Sequence, residues 1–146
     1  PKTYDKQIRV PFCPESALSG LKMDVEPGSY LFYRRKLELP EGWKNGKVLL
    51  HVGAADQVAK IYVNRIPIQE HEGGYNAFTV DITGQLKEEN ELVIRVFDDL
   101  TNLSLPYGKQ SGGRRLNKSK INFRFIFASY AGRTYGSRPS IHIITK

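Results

Sequence analysis

Carboxylates are the residues of this chain best suited to acid–base chemistry, because two of them facing each other across a cleft can cleave a glycosidic bond. Six are available for such a role: Asp56, Glu70, Glu72, Asp81, Asp98 and Asp99. No spacing between them selects an acid and a nucleophile. The pattern is more typical of surface carboxylates than of a catalytic pair.

Other kinds of reactive site have equally little support. Ser16, His71 and Asp56 carry the groups of a catalytic triad, but the chain contains no Gly-x-Ser-x-Gly elbow. The three histidines are far apart in the sequence. The single cysteine, Cys13, cannot form an internal disulfide or a cysteine-based zinc site, and in VPFCPES we expect it to be an inert core residue. We therefore predict no catalytic residue, no metal and no cofactor.

Binding is easier to motivate than catalysis, because tyrosine and phenylalanine supply 15 of the 16 aromatic residues. A flat ring covers the apolar C–H face of a sugar while polar neighbours hold its hydroxyl groups. The alternative is that most of these rings pack in the core or at strand edges. Five tyrosines fall at predicted strand ends or in loops: Tyr30, Tyr75, Tyr107, Tyr130 and Tyr135.

The elements that must position these residues are strands. Apolar and polar residues alternate with a period of two, as in Ile61 and Val63 against Lys60 and Tyr62. Seven or eight short strands separated by turn signals predict an all-β fold, an antiparallel sandwich or jelly roll. The predicted strands are 30–39, 47–52, 59–63, the segment IPIQ, the segment AFTVDI, 91–97, 123–129 and 140–145, with a short helical turn within 82–86.

Asparagine and glycine mark the turns. Asn64-Arg65 is predicted to form a two-residue hairpin turn, since asparagine tolerates a left-handed backbone. Gly73 and Gly74 are predicted to allow a tight path between strands, with His71 and Glu72 on an exposed loop. The long irregular stretch 98–120 is of a length that is often functional in compact domains.

A length of 146 residues predicts a single domain, 1–146, with a core large enough to need no disulfide. No apolar run approaches the ~20 residues of a membrane span, so we expect no membrane partner. The start of the chain has no apolar leader segment, which leaves the compartment open. A bacterial periplasmic or extracellular location is favoured over a cytoplasmic one.

The net charge of +7 is concentrated in the last quarter of the chain. Segment 109–146 contains nine lysines and arginines and no acidic residue, whereas the preceding part carries 13 basic and 15 acidic side chains. Such an atypical basic segment raises the possibility of an anionic partner such as nucleic acid.

A series of motifs resembles the N-terminal sugar-binding domain of glycoside hydrolase family 2, which includes β-galactosidases, β-glucuronidases and β-mannosidases. In chain order they are IRVPFCPESALSG, YLFYRRKLELPEGW, VLLHVGAADQVAKIYVN, HEGGYNAFTVDIT, ENELVIRVFDD and PYGKQ. They are spread over residues 8–110, about two-thirds of the chain, and they are specific as a set. The resemblance implies a jelly-roll β-sandwich of the galactose-binding type, in agreement with the strand pattern.

The resemblance also implies that this chain alone is not an enzyme, because the catalytic glutamates of the family belong to a separate barrel of ~250 residues. Carbohydrate and that barrel are the implied partners. Asp56 occupies a position from which family members send a polar side chain toward the sugar, and Asp98 or Asp99 falls near a second one. With the loop that follows, the predicted carbohydrate-binding residues are Asp56, Tyr75, Asp98, Asp99, Tyr107, Lys109 and Gln110.

The chain departs from the family pattern at three places. Arg65 replaces the usual glycine of an Asn-Gly turn, and Tyr107 replaces an arginine. After Gly132 the closing strand of the family is replaced by RTYGSRPS. Codon degeneracy permits a frame shift here, an idea that fails if no reading frame of the DNA restores the family's tryptophan motif. SIHIIT (140–145) alternates and is β-branched, so it could serve as a substitute strand.

A frame shift would also explain the basic segment, which places nucleic-acid binding below glycan binding. The sequence thus favours a non-catalytic carbohydrate-binding domain. The alternative is a purely structural domain that braces a catalytic barrel and has no ligand of its own.

Overall fold

The computed structural model describes residues 4–10, 12–26 and 28–97, together with the backbone of three later strands at 123–130, 133–135 and 140–145. The described part contains three 3₁₀ turns, at Ala17–Ser19, Trp43–Asn45 and Thr83–Gln85, and no α-helix. None of its helical segments is long and apolar enough to cross a membrane. The strands are β1 (Lys6–Arg9), β2 (Tyr30–Leu37), β3 (Val48–Ala55), β4 (Val58–Val63), β5 (Ile66–Glu72), β6 (Phe78–Asp81), β7 (Asn90–Phe97), β8 (Phe123–Tyr130), β9 (Arg133–Tyr135) and β10 (Ser140–Thr145).

The strands form two antiparallel sheets. The six-stranded sheet has the order β1-β10-β2-β7-β4-β5, and the four-stranded sheet has the order β6-β3-β8-β9. Every pairing between neighbouring strands of the described part is antiparallel. The all-β antiparallel sandwich predicted from the alternation of residues is confirmed.

One apolar core lies between the sheets, because each central strand directs every second side chain inward. In β4 and β7 the inward residues are completely buried, and the residues between them are only half-buried. Full burial of such a side chain contributes about 1.5–3 kcal/mol. The buried inward residues of β2, β3, β4 and β7 are Leu31, Tyr33, Val48, Leu50, Val52, Ala59, Ile61, Val63, Leu92, Ile94 and Val96.

Segment 140–145 is the strand that departs from the family pattern, and it is an integral part of the larger sheet. β10 lies between β1 and β2 and pairs with both. His142, for example, is opposite Gln7 on one side and Arg34 on the other. The prediction that SIHIIT can form a strand is confirmed, and its substitution for the closing strand of the family stays a prediction.

The β4–β5 hairpin turns at the predicted place. Asn64 and Arg65 both have left-handed backbones, with φ of 51° and 69°. The Asn64 side chain donates to Gln85 O at 2.7 Å and to Asn90 Oδ1 at 2.9 Å, and its Oδ1 accepts from Glu91 N at 2.9 Å. This amide therefore joins the hairpin turn to the loop that precedes β7.

The placement of His71 and Glu72 on an exposed loop is wrong, since both belong to β5. Glu72 pairs with Val58 and His71 pairs with Ala59. The His71 ring stacks on Phe78 with the ring centres 4.0 Å apart, which half-buries it. An edge strand needs a backbone partner on one side only, so its polar sequence does not prevent pairing.

Candidate functional site at the Asp56 end of the sandwich

Three chain segments meet at one end of the sandwich, which we call the Asp56 end. They are the turn between β3 and β4 at 56–57, the loop between β5 and β6 at 73–77, and the last residue of β7. Gln57 N donates to Phe97 O at 3.0 Å, and Gly73 N donates to Gln57 O at 2.9 Å. The peptide bond between Asp56 and Gln57 is cis. Backbone hydrogen bonds thus hold the three segments in one fixed arrangement.

Asp56 is a buried polar residue at this end, with only 2% of its surface exposed. Its side chain lies directly over Gly74, where an added Cβ atom would overlap the carboxyl group. Gly73 has φ of 115°, a backbone that glycine adopts readily and other residues rarely do. The predicted need for two glycines is confirmed. Gly73 is needed for its positive φ, and Gly74 is needed because a side chain there would overlap Asp56.

Aromatic rings and one cation line the outer side of this end. The rings of Tyr30 and Phe97 have their centres 4.8 Å apart and are tilted by 32°. The Arg95 guanidinium lies over the Tyr30 ring, 4.9 Å from its centre. Tyr75, in the loop that carries Gly74, has 48% of its surface exposed. Exposed rings next to hydrogen-bonding groups are suited to an amphipathic ligand such as a sugar.

Charged residues continue from this end along the outer face of the larger sheet. Glu70 lies 3.6 Å from Lys60 and 3.5 Å from Arg95. All three side chains are partly exposed, so each pair contributes little to stability. Glu70 thus contacts the same Arg95 guanidinium that lies over the Tyr30 ring.

The structure brings together two of the residues predicted to bind carbohydrate. Asp56 and Tyr75 lie at the same end, Asp56 buried on Gly74 and Tyr75 exposed in the adjoining loop. The other five predicted residues, Asp98, Asp99, Tyr107, Lys109 and Gln110, lie outside the described residues.

Residues considered for a reactive site are otherwise occupied. Ser16 accepts a hydrogen bond from Leu18 N at 3.2 Å and caps a 3₁₀ turn. Burial raises the pKa of the Cys13 thiol, and the nearby Glu15 carboxyl raises it further. A thiol with a raised pKa is a poor nucleophile at neutral pH. Within 4–10, 12–26 and 28–97, no three metal-ligating side chains are grouped as an ion site.

Two features of this end are not apparent from the sequence. The contact between Asp56 and Gly74 joins residues 18 positions apart, and the stacking of Arg95 on Tyr30 joins two strands. The adjacent glycines were the only available signal for the first contact. Nothing in the alternation of β7 distinguishes Arg95 from other outward residues.

A family profile, sequence relatives and a solved structure all place this chain with the same group of proteins. The sequence profile described as "Glycosyl hydrolase 2 galactose-binding domain-like" matches residues 18–125. The chain is 34% identical over 116 residues to a β-glucuronidase of Chlorocebus aethiops, covering 70% of this chain and 18% of that protein. It is 41% identical over 59 residues to a β-galactosidase of Thermoanaerobacter pseudethanolicus, covering 40% of this chain and 8% of that protein.

A solved structure agrees with the sequence matches. The crystal structure of a Bacteroides uniformis β-glucuronidase superposes with a TM-score of 0.51 at 30% identity, covering 70% of this chain and 12% of that chain. The chain thus spans under a fifth of the length of each of these relatives. The profile corresponds to a domain that is not the catalytic one. The chain belongs to the galactose-binding-like domain family of glycosyl hydrolase 2.

Proposed function

We propose that this chain is a carbohydrate-binding accessory domain of a family 2 β-glycosidase and that it contacts the sugar at the Asp56 end. The relatives named above are β-glucuronidases and a β-galactosidase, which makes a β-glycoside the expected class of ligand. Bond cleavage would be the work of a separate catalytic domain of the parent protein.

The observation that carries this proposal is the arrangement of the three segments of the Asp56 end. Gln57 hydrogen-bonds to both Phe97 and Gly73, so the loop that carries Tyr75 is attached to the body of the sandwich. A loop held in this way loses little backbone freedom when a ligand binds, which favours affinity. In this proposal Tyr75 stacks on the apolar face of the sugar, and Asp56 positions the Tyr75 loop through Gly74.

In this proposal the remaining predicted residues supply polar contacts to the sugar. Asp98 and Asp99 follow Phe97 in the sequence, and Tyr107, Lys109 and Gln110 belong to the next motif. Carboxylate, ammonium and amide groups suit the hydroxyl groups of a sugar. Their role stays a prediction that the titrations below address.

A second function, bracing a catalytic domain without independent sugar affinity, is favoured by one observation. Asp56 is 2% exposed and its side chain packs on Gly74. A buried aspartate that shapes a loop would serve a protein–protein contact as well as a ligand site. The two functions differ in whether the free chain binds sugar.

Calorimetric titration of the 146-residue chain with β-galactosides, β-mannosides, β-glucuronides and plant polysaccharides separates them. Carbohydrate binding predicts heat with at least one of these ligands, reduced roughly tenfold or more in affinity by Tyr75→Ala, as expected for the loss of a stacking ring. Tyr62→Ala removes a half-buried ring away from the Asp56 end and serves as the control. Absence of heat with every ligand would support the bracing function.

Catalysis by this chain alone is tested with nitrophenyl glycosides. We expect no release of nitrophenol from galactoside, mannoside or glucuronide substrates. Turnover by the purified chain, abolished by Asp56→Asn, would overturn the assignment of a non-catalytic domain.

A further inference from the structure

A second candidate site lies at the end of the sandwich opposite Asp56. The register pairs Tyr30 with Phe97 at the Asp56 end and Leu37 with Asn90 at the other. Tyr30 and Leu37 are seven positions apart along β2, or roughly 23 Å at ~3.3 Å per residue. The opposite end contains a groove of about 470 Å³, within the range of ligand pockets, ~300–1,000 Å³. Its charged lining consists of Arg34, Lys36, Arg65, Lys87, Glu89 and Glu91.

The groove has an excess of positive charge that is not neutralised internally. Arg34 Nε lies 2.7 Å from Glu91 Oε2, and Lys36 Nζ lies 3.2 Å from Glu89 Oε1. Arg65 and Lys87 have no carboxylate partner among the residues that the structure describes. Two cations are therefore available to an anion that enters this groove.

Arg65 occupies a backbone conformation that favours glycine. Its φ of 69° is left-handed, and a side chain in that region is strained. A residue held in such a conformation can have a functional reason to be there, since glycine would form the same turn without strain. Arg65 lines the groove, and its positive charge there would be the functional reason for a non-glycine residue at this position.

One amide network holds the backbone segments that carry the two available cations. Asn64, which precedes Arg65, donates to Asn90 Oδ1 at 2.9 Å. The same Asn90 oxygen accepts from Lys87 N at 2.7 Å, and Asn90 Nδ2 donates to Lys87 O at 2.9 Å. Asn90 is 3% exposed, so the network is protected from water. The backbones of Arg65 and Lys87 are thus fixed relative to each other before any ligand binds.

From the groove, its two available cations and the amide network we propose that this end binds an acidic saccharide, with Arg65 and Lys87 holding a carboxylate or sulfate group of the sugar. Glu89 and Glu91 can accept hydrogen bonds from sugar hydroxyl groups. Among the described residues that line the groove there is no aromatic ring on which a nucleic-acid base could stack. This site goes beyond the proposed function, because it is a different site at the other end of the domain.

The test compares three trisaccharides that differ only at C6: galactotriose, the oligogalacturonate trimer and 6-O-sulfated galactotriose. Each is titrated calorimetrically into the full chain at physiological ionic strength, where long-range attraction to segment 109–146 is screened. The variants are Arg65→Gly and Lys87→Gln. Lys22→Gly is the matched control, since Lys22 is also an exposed cation with a left-handed backbone, φ 49°, and lies outside the groove.

We expect one or both acidic trisaccharides to bind with an affinity that depends on Arg65 and Lys87, and any heat from the neutral trisaccharide to be unchanged in the Arg65 and Lys87 variants. Arg65→Gly and Lys87→Gln should each weaken binding about threefold to tenfold, as for the loss of a charge-assisted contact in partly exposed surroundings. Lys22→Gly should leave affinity unchanged, and both glycine variants should keep or raise the melting temperature. The carboxylated and sulfated arms identify which acidic group the groove prefers.

Several results would overturn the proposal. One is the absence of binding by both acidic trisaccharides, and another is an equal loss of affinity in Arg65→Gly and Lys22→Gly, which would indicate general attraction to positive charge. Tighter binding of a single-stranded oligonucleotide, with the same sensitivity to Arg65→Gly, would reassign the groove to nucleic acid. Tyr75→Ala should have no effect here, so failure at this groove and failure at the Asp56 end can be distinguished.

Discussion

The side chain of Asp56 occupies the space that a Cβ atom at position 74 would need. Gly74 does not have a left-handed backbone, so alanine there should be opposed only by this overlap. We expect Gly74→Ala to lower the free energy of unfolding by about 1–3 kcal/mol, as in other overpacked sites, measured by urea denaturation. Gly84→Ala, with no atom within 4 Å of its Cβ, should change stability by less than about 0.5 kcal/mol.

A double-mutant cycle attributes that loss to Asp56. Gly74→Ala should be less destabilising in the Asp56→Ala background, with a coupling of about 0.5–3 kcal/mol, because the overlapping carboxyl group has been removed. Strict additivity of the two single changes would contradict the contact.

The Asn64 amide network, at the end of the sandwich opposite Asp56, should contribute more to the free energy of unfolding than is lost in Gly74→Ala. Asn64→Gly keeps the left-handed backbone and removes the three hydrogen bonds to Gln85, Asn90 and Glu91. The expected loss in free energy of unfolding is about 1.5–4 kcal/mol, measured by thermal and urea denaturation. Arg65→Gly makes the same kind of change one residue later, where no hydrogen bond of the side chain is lost, and it should not destabilise the chain. Equal losses in both variants would contradict the network.

Asp81 should titrate at an unusually low pH. The Thr83 hydroxyl donates to Asp81 Oδ1 at 2.6 Å and Thr83 N donates to the same oxygen at 3.1 Å. Hydrogen bonds from Thr83, assisted by Lys47, lower the pKa of this carboxyl group. Because its folded pKa lies below the unfolded value, its contribution is present above the unfolded pKa and is lost as the pH falls through the folded pKa.

An NMR titration of the carboxyl group measures this shift directly. The midpoint of Asp81 should lie below the ordinary value of about 3.9. Thr83→Val should raise the midpoint while the hydrogen bond from Thr83 N persists. Thr79→Val, in the same strand region but hydrogen-bonded to His51 instead, should leave the midpoint unchanged.

Strand β10 should be required for folding because it is an interior strand of the larger sheet. His142→Pro removes a backbone N–H from a strand that pairs on both sides, and proline is poorly accommodated at such a position. We expect the cooperative thermal transition to be lost or strongly lowered, by circular dichroism. His142→Thr keeps the N–H and a high strand propensity and should fold. A folded His142→Pro variant would show that segment 140–145 is dispensable.

Most of the fold could be predicted from the sequence, because the alternation of apolar and polar residues along a strand reflects which side chains are buried. Ile61 and Val63 were expected on the inner face of a strand and are fully buried in β4. The Asn64-Arg65 turn followed from local backbone preference. Strand ends were less accurate: β2 ends at Leu37 where its pairing with β7 ends, although apolar alternation continues to Leu39.

Contacts between distant parts of the chain could not be predicted in this way. His71 and Glu72 have the composition of a loop, and only their pairing with β4 makes them a strand. Likewise, no periodicity indicates that Asp56 meets Gly74 or that Asn64 meets Asn90. At the candidate site, the family resemblance predicted Asp56 as a sugar-binding residue. Tyr75 was predicted because tyrosines in loops can stack on a sugar. The folded chain places both at one end.

The most direct test of sugar recognition at the Asp56 end is a two-dimensional NMR titration of the ¹⁵N-labelled chain with methyl β-D-galactoside and methyl β-D-mannoside. We predict that the amide signals of Gln57, Gly73, Gly74, Tyr75 and Phe97 shift when sugar is added and that these shift changes are absent in Tyr75→Ala. Shift changes confined to the Arg65 end, or none with either sugar up to its solubility limit, would contradict it.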